Sequence, residues 1–469
     1  MDRALFALTL DGQAKASLQA QLMRALREIV LDDPSRAGAR LPASRALAEE
    51  LSVSRTTVQS AYDQLISEGY LTAHRGSGTF VSRDVPHLAT PPQPRPRQHE
   101  STPWPPFSIG LPDQRLLPHR LWARHLERAW RVPDPKLLAR PDPFGWFPLR
   151  AAIADHLAAW RGLTCNPEQV LISSGAWEAF DILFRGLENQ AQCVAIEDPC
   201  WPRLHEMLAM TGARSYALRI DREGFDVPAL RPETSAVIVS PSRQYPSGIS
   251  LSLARRAALL EWAVSQQGLV IEDDYDSEFR YRGQPLPSLA GIDGLQHVVY
   301  LGSFSKLISS AFRIGYVVLP ERFIASARSY LRRMGPRASL VPQPALATFL
   351  QSGEFAVHLR RMRRIYAKRQ TALVAALGPI QDILEVAPDP SGMHLCLPLM
   401  QAMKSHVTDT ALSTSLNAVG LQVAALSDHA VLPDPPHALL LGYAAFDEEE
   451  ISAAAAKLVS QLRKTVQEQ

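Results

Sequence analysis

A lysine acquires chemistry when its neighbours can hold an anion beside it. Lys306 stands in GSFSKLISSAFRIGY, with Ser303 and Ser305 before it and Arg313 after it. Hydroxyls and a guanidinium around an amine suit a bound phosphate next to an imine formed with an aldehyde. The same string also reads as a solvated loop carrying an ordinary surface lysine. A second run, EDDYDSEFRY, follows the β-rich stretch Leu269 to Ile271 and gathers carboxylates and two tyrosines where a parallel strand ends, the usual ligand end of an α/β sheet. Asp273, Asp274, Asp276 and Glu278 could in principle hold a hard metal ion. Their spacing is that of no calcium loop and no histidine accompanies them, so no metal is expected.

These residue types fit together around pyridoxal 5'-phosphate, which needs an amine for its aldehyde, an anion for its pyridine nitrogen, donors for its phosphate and a flat group against its ring. Lys306 supplies the amine. Asp273 can keep the pyridine nitrogen protonated, and Tyr275 can hydrogen-bond the ring's phenolic oxygen. In LISSGAWEAFDILF a strand runs into Ser-Ser-Gly and a helix starts at Ala176, so Gly175 and Ala176 can turn free N–H groups toward a phosphate. Trp201, in IEDPCWPRLHE, can stack on the ring or can equally be a core tryptophan. Tyr245, in the turn-rich SPSRQYPSG, can reach the ring edge.

Such a set must be carried by a large α/β scaffold. Val194 to Ile196, Ala236 to Val239, Leu269 to Ile271, Val298 to Leu301 and Tyr316 to Leu319 are short β-rich runs of the kind buried on both faces of a sheet. Between two of them, Leu253 to Gln266 has helical spacing, with Gly268 near its end. Strand, helix, strand implies a mostly parallel sheet. The chain of 469 residues, 46% hydrophobic, can bury such a core and still carry a second unit.

That second unit lies at the N-terminus. The proline-rich stretch from Arg83 to Phe107 has few large apolar residues and reads as a semi-stiff linker, so the expected division is 1–82, a linker at 83–107, and 108–469. Residues 18 to 30 put Leu18, Leu22, Leu26, Ile29 and Val30 on one helical face. A second helix fits Ser44 to Leu51, with Ser44 as its cap. A third begins near Ser54, burying Val58, Ala61, Tyr62, Leu65 and Ile66 and presenting Arg55, Thr56 and Thr57 at its exposed start. Two helices joined by a tight turn are the geometry that enters a major groove, and YLTAHRGSGTFVS adds a hairpin wing with Arg75 and Gly76 at its tip. Arg45 and Arg55 can neutralise phosphates, and the threonine hydroxyls can bond phosphate or base edges. The unit is neutral overall, nine basic against nine acidic residues in 1–82, which also suits a simple three-helix interaction module.

The string LPASRALAEELSVSRTTVQSAYDQLISEGYLTAHRGSGTFV closely resembles the winged helix-turn-helix of the GntR superfamily. The resemblance implies Arg45, Arg55, Thr56, Thr57, Arg75 and Gly76 as DNA-contacting positions. From about Ile109 onward, EDDYDSEFRY and GSFSK with RIGY resemble fold type I aminotransferases, and the combination resembles the MocR/GabR regulators. That resemblance implies Lys306 as the internal aldimine lysine, Asp273 at the pyridine nitrogen and Tyr275 at the phenolic oxygen. It also implies Ser303, Ser305, Arg313, Gly175 and Ala176 around the phosphate, a smaller C-terminal α+β subdomain, and a head-to-tail homodimer. Two departures stand out. Arg243 occupies a position that is usually histidine, and HALLLGYAAF lacks the C-terminal arginine with which aminotransferases grip a substrate carboxylate, leaving Arg203 as the nearest substitute.

The remaining features set bounds. A net charge of +2 marks no global field for nucleic acid or membrane, so any DNA surface must be local. Four cysteines without a CxxC pair argue against a disulfide framework or zinc ribbon, and no apolar run has the length of a signal peptide or membrane span. The expectation is a cytoplasmic DNA-binding regulator that senses pyridoxal phosphate, an amino compound joined to it, or both. The alternative is a working aminotransferase with a DNA-binding appendage.

Overall fold

The structure, a computed structural model, describes residues 8–12, 14, 16–74, 76–84, 104–139, 141–187, 193–284, 286–404 and 406–467. The chain divides into two compact units, Met1–Ser101 and Thr102–Gln469. Most of the proline-rich stretch, 85–103, lies outside the described residues, as does Arg75.

In the first unit, helix Leu18–Leu31 buries Leu22, Leu26 and Val30. These pack with Leu47 and Ala48 of helix Ser44–Glu50 and with Val58, Ala61, Tyr62 and Leu65 of helix Arg55–Ser67 in one apolar cluster. The cap of the second helix differs from the sequence expectation. The N-cap is Ala43 and makes no side-chain bond, because the helix begins one residue earlier and places Ser44 inside it. Ser54 does cap the third helix, accepting from the Thr57 amide. Strands β1 (Leu71–His74) and β2 (Gly78–Val81) form the antiparallel hairpin, with Gly76 at φ +80° in the turn.

The second unit is an α/β domain around an eight-stranded, mostly parallel sheet. Its strands are β3 (Val170–Ser173), β4 (Cys193–Asp198), β5 (Arg214–Asp221), β6 (Gly224–Phe225), β7 (Ala236–Val239), β8 (Leu269–Asp274), β9 (Val298–Ser303) and β10 (Gly315–Val318). Their order is β3-β10-β9-β8-β7-β4-β5-β6. β4, β5, β7, β8 and β9 pair in parallel, whereas β10 runs antiparallel to both β3 and β9.

The β-rich runs are apolar at every position because successive side chains feed two different cores. Ala195, Val237, Val239, Val270 and Val298 point into one cluster, and Val194, Ile196, Ala236, Ile238, Ile271 and Val299 into the other. Each fully buried Val, Leu or Ile contributes about 1.5–3 kcal/mol. Between β7 and β8, helix Leu253–Ser265 is capped by Ser252. Gln267, not Gly268, takes the left-handed conformation that ends it; a Cβ on Gly268 would meet the Trp262 ring at 2.5 Å, so the glycine serves close packing. A smaller C-terminal sheet, β11 (His394–Pro398), β12 (Ala424–Ala425) and β13 (Ala438–Gly442), is antiparallel in the order β11-β13-β12. Helices Asp409–Ala418 and Glu448–Gln467 belong to the same C-terminal region. Among the described residues no helix is long and apolar enough to cross a membrane.

Candidate functional site

The ends of β3, β4, β7, β8 and β9 open onto a cavity of about 430 Å³ in the second unit, a volume typical of small-molecule sites. All ten residues singled out for the cofactor line it: Gly175, Ala176, Trp201, Tyr245, Asp273, Tyr275, Ser303, Ser305, Lys306 and Arg313.

β8 delivers the carboxylate by alternation. Its side chains point to opposite faces in turn, so Glu272 and Asp274 face away from the cavity while Asp273 faces it. On the far face, the fully buried Arg161 guanidinium lies 2.8 Å from Asp274 and 3.7 Å from Glu272. Asp274 also accepts from the Ser277 and Tyr300 hydroxyls, and Glu272 from the Ala290 amide. Asp273 makes no hydrogen bond or ion pair with any described residue; burial, reinforced by Asp274, pushes its carboxyl up to about 7. Glu197, at the end of β4, is a second buried carboxyl on the cavity wall, pushed up to about 8 by burial against the opposing bonds from Ser240 and Gln244.

Lys306 follows β9 through a turn in which the Ser303 hydroxyl accepts from the Ser305 amide. The lysine Nζ donates to the Gly110 carbonyl at 2.7 Å, and burial pulls the amine below its usual range, with Asp276 opposing. Gly110 has φ +71°, and a Cβ there would come within 2.8 Å of that Nζ. Arg313 is exposed, sits at φ +50° after the turn Ser310–Phe312, and has no side-chain partner among the described residues. Gly175, at φ +127°, precedes helix Ala176–Gly186, and nothing lies within 4 Å of where its Cβ would be. The Ser174 amide is occupied by Glu178 and the Gly175 amide by the Ser173 hydroxyl, which leaves the amides of Ala176, Trp177 and Glu178 as the open donors of the helix start.

The aromatic wall is composite. Trp201 meets Trp177 edge to face at 5.9 Å, and Tyr245 meets Tyr275, His394 and His429 in T-shaped contacts at 5.6–5.8 Å. Behind Tyr275 lies Arg243, 2% exposed, whose Nη1 donates to the tyrosine oxygen at 2.9 Å and whose Nη2 donates to Asp389 at 2.9 Å and to the His394 carbonyl at 2.9 Å. Arg243 thus braces the tyrosine from outside the cavity lining. Gly392, at φ +91°, makes room for it, since a Cβ there would strike the guanidinium. Arg203 is exposed at the start of helix Leu204–Thr211 and does not line the cavity, which removes it as the substitute for a carboxylate-gripping arginine. On β13 the corresponding stretch buries Leu440 in an apolar cluster with Leu426, Ala438 and Ile109.

Sequence reasoning missed Ile109, Gly110, Trp177, Glu197, Met393 and His394, all of which line the cavity, and weighed Asp276, which lines it too, only as a metal ligand. Trp177 and Glu197 stand inside strings already under scrutiny, and their neighbours were the available signal. Gly110 meets Lys306 across 196 positions, for which no local signal exists.

In the first unit, Arg55 and Thr56 are exposed at the start of the third helix. The Thr56 and Thr57 hydroxyls each lie 2.7 Å from the Ser54 hydroxyl, so both are engaged in the cap. Arg45 is exposed and pairs with Glu49 at 3.4 Å, and Gly76 is exposed at the hairpin tip.

Comparison with known proteins agrees with both units. The family "Bacterial regulatory proteins, gntR family" matches residues 18–81, and "Aminotransferase class I and II" matches residues 133–458. "Probable rhizopine catabolism regulatory protein MocR" of Rhizobium meliloti is 34% identical over 460 residues, 94% of this chain and 92% of its own. The chain belongs to the MocR-type family of HTH transcription regulators. The HTH-type pyridoxine biosynthesis transcriptional regulator PdxR of Corynebacterium glutamicum is likewise 34% identical, over 95% of this chain and 96% of its own. Among solved structures, an archaeal alanine:glyoxylate aminotransferase superposes with a TM-score of 0.70 at 22% identity, over 78% of this chain and 92% of its own. LysN, the α-aminoadipate aminotransferase of Thermus thermophilus, gives 0.67 at 25%, over 76% and 92%. The MocR-type chain is therefore a transcription regulator with an aminotransferase-like unit, and its GntR helix-turn-helix implies DNA as a partner.

Proposed function

We propose that this regulator binds pyridoxal 5'-phosphate through Lys306 and that occupancy of the cavity, by the cofactor alone or with an amino compound joined to it, sets how residues 1–82 engage promoter DNA. In this reading 83–107 is the connector and 108–469 the effector unit. The observation that carries it is Asp273, a half-buried carboxylate without a partner among the described residues that shares one cavity with the half-buried Lys306 amine and the unpaired Arg313 guanidinium. A carboxyl withdrawn from water in that way calls for a cationic donor, and a protonated pyridine nitrogen is one.

Each residue's part follows from its chemistry. Asp273 would hold the ring nitrogen protonated. Arg313, the Ser303 and Ser305 hydroxyls and the amides at the Gly175–Ala176 helix start would hold the phosphate. Tyr275, braced by Arg243, would donate at the phenolic oxygen, and Trp201 and Tyr245 would exclude water from the ring. Burial keeps a larger share of the Lys306 amine unprotonated and so nucleophilic. When bound, the cofactor supplies an aldehyde for capturing amines and a ring that withdraws electrons.

Sustained transamination is the weaker reading. Arg313 is the one guanidinium among the described lining residues, it stands at the phosphate end, and the β13 stretch offers Leu440 in an apolar cluster. The relative named for regulating pyridoxine biosynthesis adds weight to the cofactor itself as signal. A head-to-tail homodimer on paired DNA sites would let a cavity event alter the spacing of two winged helices.

DNA retardation with the protein's own upstream region, using wild type and Lys306→Ala with and without pyridoxal phosphate and candidate amines, tests the proposal. Wild type should show a visible absorbance band on adding the cofactor, and borohydride should fix the cofactor's mass on the Lys306 peptide. Wild type that retains DNA identically with and without cofactor and amines would remove the sensing role. Absence of the band would remove the chemistry, and enzyme-like turnover with an amino donor and a keto acceptor would promote the alternative.

A further inference from the structure

Helix Glu354–Ala376 carries the string RRMRR, and the spacing i, i+3, i+4, i+7 brings Arg360, Arg363, Arg364 and Ala367 to one face. Opposite that face runs the loop that leaves β8. Phe279 is buried in the core, and the next two residues, Arg280 and Tyr281, are half-buried and complete an open cleft of about 620 Å³ lined by these six residues. Tyr281 is anchored there by its hydroxyl, which donates to the Gly392 carbonyl.

None of the four guanidiniums in this cleft makes a side-chain hydrogen bond or ion pair with any described residue. The Nε atoms of Arg280 and Arg363 are moreover buried without an acceptor. On the same helix Arg369, less than two turns further on, leaves its own Nε without an acceptor but spends its terminal nitrogens on protein partners, 2.9 Å from Asp113 and donating to the Ala444 carbonyl. Arg363 lies with its Cζ 4.3 Å from the centre of the Trp160 ring, which fixes the plane of the guanidinium without consuming its donors. Burial, together with the charge of Arg360, lowers its pKa against the pull of Glu278. Four like charges, two of them with a buried N–H left without an acceptor, form an arrangement that an anion would stabilise, since a buried donor without a partner keeps the full cost of leaving water.

We infer that the cleft of Arg280, Arg360, Arg363 and Arg364 is a second anion site, separate from the Lys306 cavity, and that it takes a small phosphate-bearing molecule. A phosphate offers at least three strong acceptors that planar guanidiniums can grip in pairs. The cleft is concave and of small-molecule size, whereas a nucleic-acid backbone asks for charges spread along a track.

Calorimetric titration of the full-length protein with inorganic phosphate, at ionic strength held constant with chloride, tests this. Two sites per chain are expected. Arg313→Ala should remove one, and Arg360→Ala with Arg364→Ala should weaken the other by about ten- to a hundred-fold, as for loss of charge-assisted hydrogen bonds. The site that survives in each variant reports that the protein is folded, and paired lysine replacements should restore part of the loss. A single site abolished by Arg313→Ala, or two sites unaffected by the Arg360/Arg364 pair, would overturn the inference. So would a double variant that binds phosphate normally but loses DNA affinity, which would assign the cleft to nucleic acid, or one that binds phosphate normally and changes only its sedimentation, which would assign it to a second copy.

Discussion

Asp273→Asn should stabilise the cofactor-free protein and at the same time weaken its hold on pyridoxal phosphate. In the folded chain the carboxyl is pushed from its ordinary 3.8 up to about 7, chiefly by burial. Well below pH 3.8 it is protonated whether the chain is folded or not, so wild type and variant differ least at the acid end. As pH rises toward 7 the unfolded chain releases this proton and the folded chain keeps it, so the wild type loses stability that an amide never had to lose. At 1.36 kcal/mol per pH unit the full span amounts to at most about 4 kcal/mol. Asp273 borders an open cavity, so water screens part of it, and a gain of about 1–3 kcal/mol at pH 8 is expected. Glu272 and Asp276, also pushed up to about 7, titrate in both proteins and cancel in the comparison. Urea unfolding of both proteins from pH 4 to 8 reads the difference. With pyridoxal phosphate present the order should reverse, because the amide cannot match a carboxylate as partner to a protonated ring nitrogen, and affinity should fall by about ten- to a hundred-fold. A stability difference that is flat with pH, or that favours wild type without cofactor at pH 8, would refute the reasoning.

Three further outcomes follow from the geometry. Arg243→Ala leaves Asp276 and Asp389 without their buried counter-ion and Tyr275 without its donor, so a loss of about 3–5 kcal/mol in urea unfolding is expected, only partly recovered by lysine. Arg55→Ala should weaken binding to specific and unrelated DNA alike and lower the slope of log affinity against log salt by about 1, measured by fluorescence anisotropy; a loss confined to one sequence would mean base contact instead. Ser54→Ala removes the acceptor of the Thr57 amide and the hub of the Thr56 and Thr57 hydroxyls, so helix Arg55–Ser67 should fray by about 1 kcal/mol, seen as faster amide exchange in its first turn.

The sheet was readable because its strands are apolar on both faces, a pattern that only sandwiching layers explain, and Asp273 was readable because it ends such a strand. Two structural features escaped for physical reasons. β5, Arg214–Asp221, is an outer strand of mixed burial, so its residues alternate weakly and never form an apolar run. The cavity wall formed by Gly110, Met393 and His394 is assembled from both ends of the unit, where spacing along the chain carries no information. Arg243 shows a third kind of gap. Its residue type signalled a departure, but its part as a brace depends on Asp389 and His394, about 150 positions away. Ser44 failed for a smaller reason, a helix start displaced by one residue.

The cavity's walls differ in how freely they can vary. The floor at the end of β8 is held by the Arg161–Asp274 ion pair with Glu272 beside it, groups with almost no contact with water, so replacing the arginine or the aspartate strands a charge and costs several kcal/mol. The Ile109 and Met393 side chains, which also line the cavity, contribute apolar packing, where a swap of similar volume costs under about 1.5 kcal/mol. A chain built this way can explore new ligands by drifting at one wall while the other stays rigid, and selection for a different signal would be expected to leave its record at positions 109 and 393 long before it touched position 161.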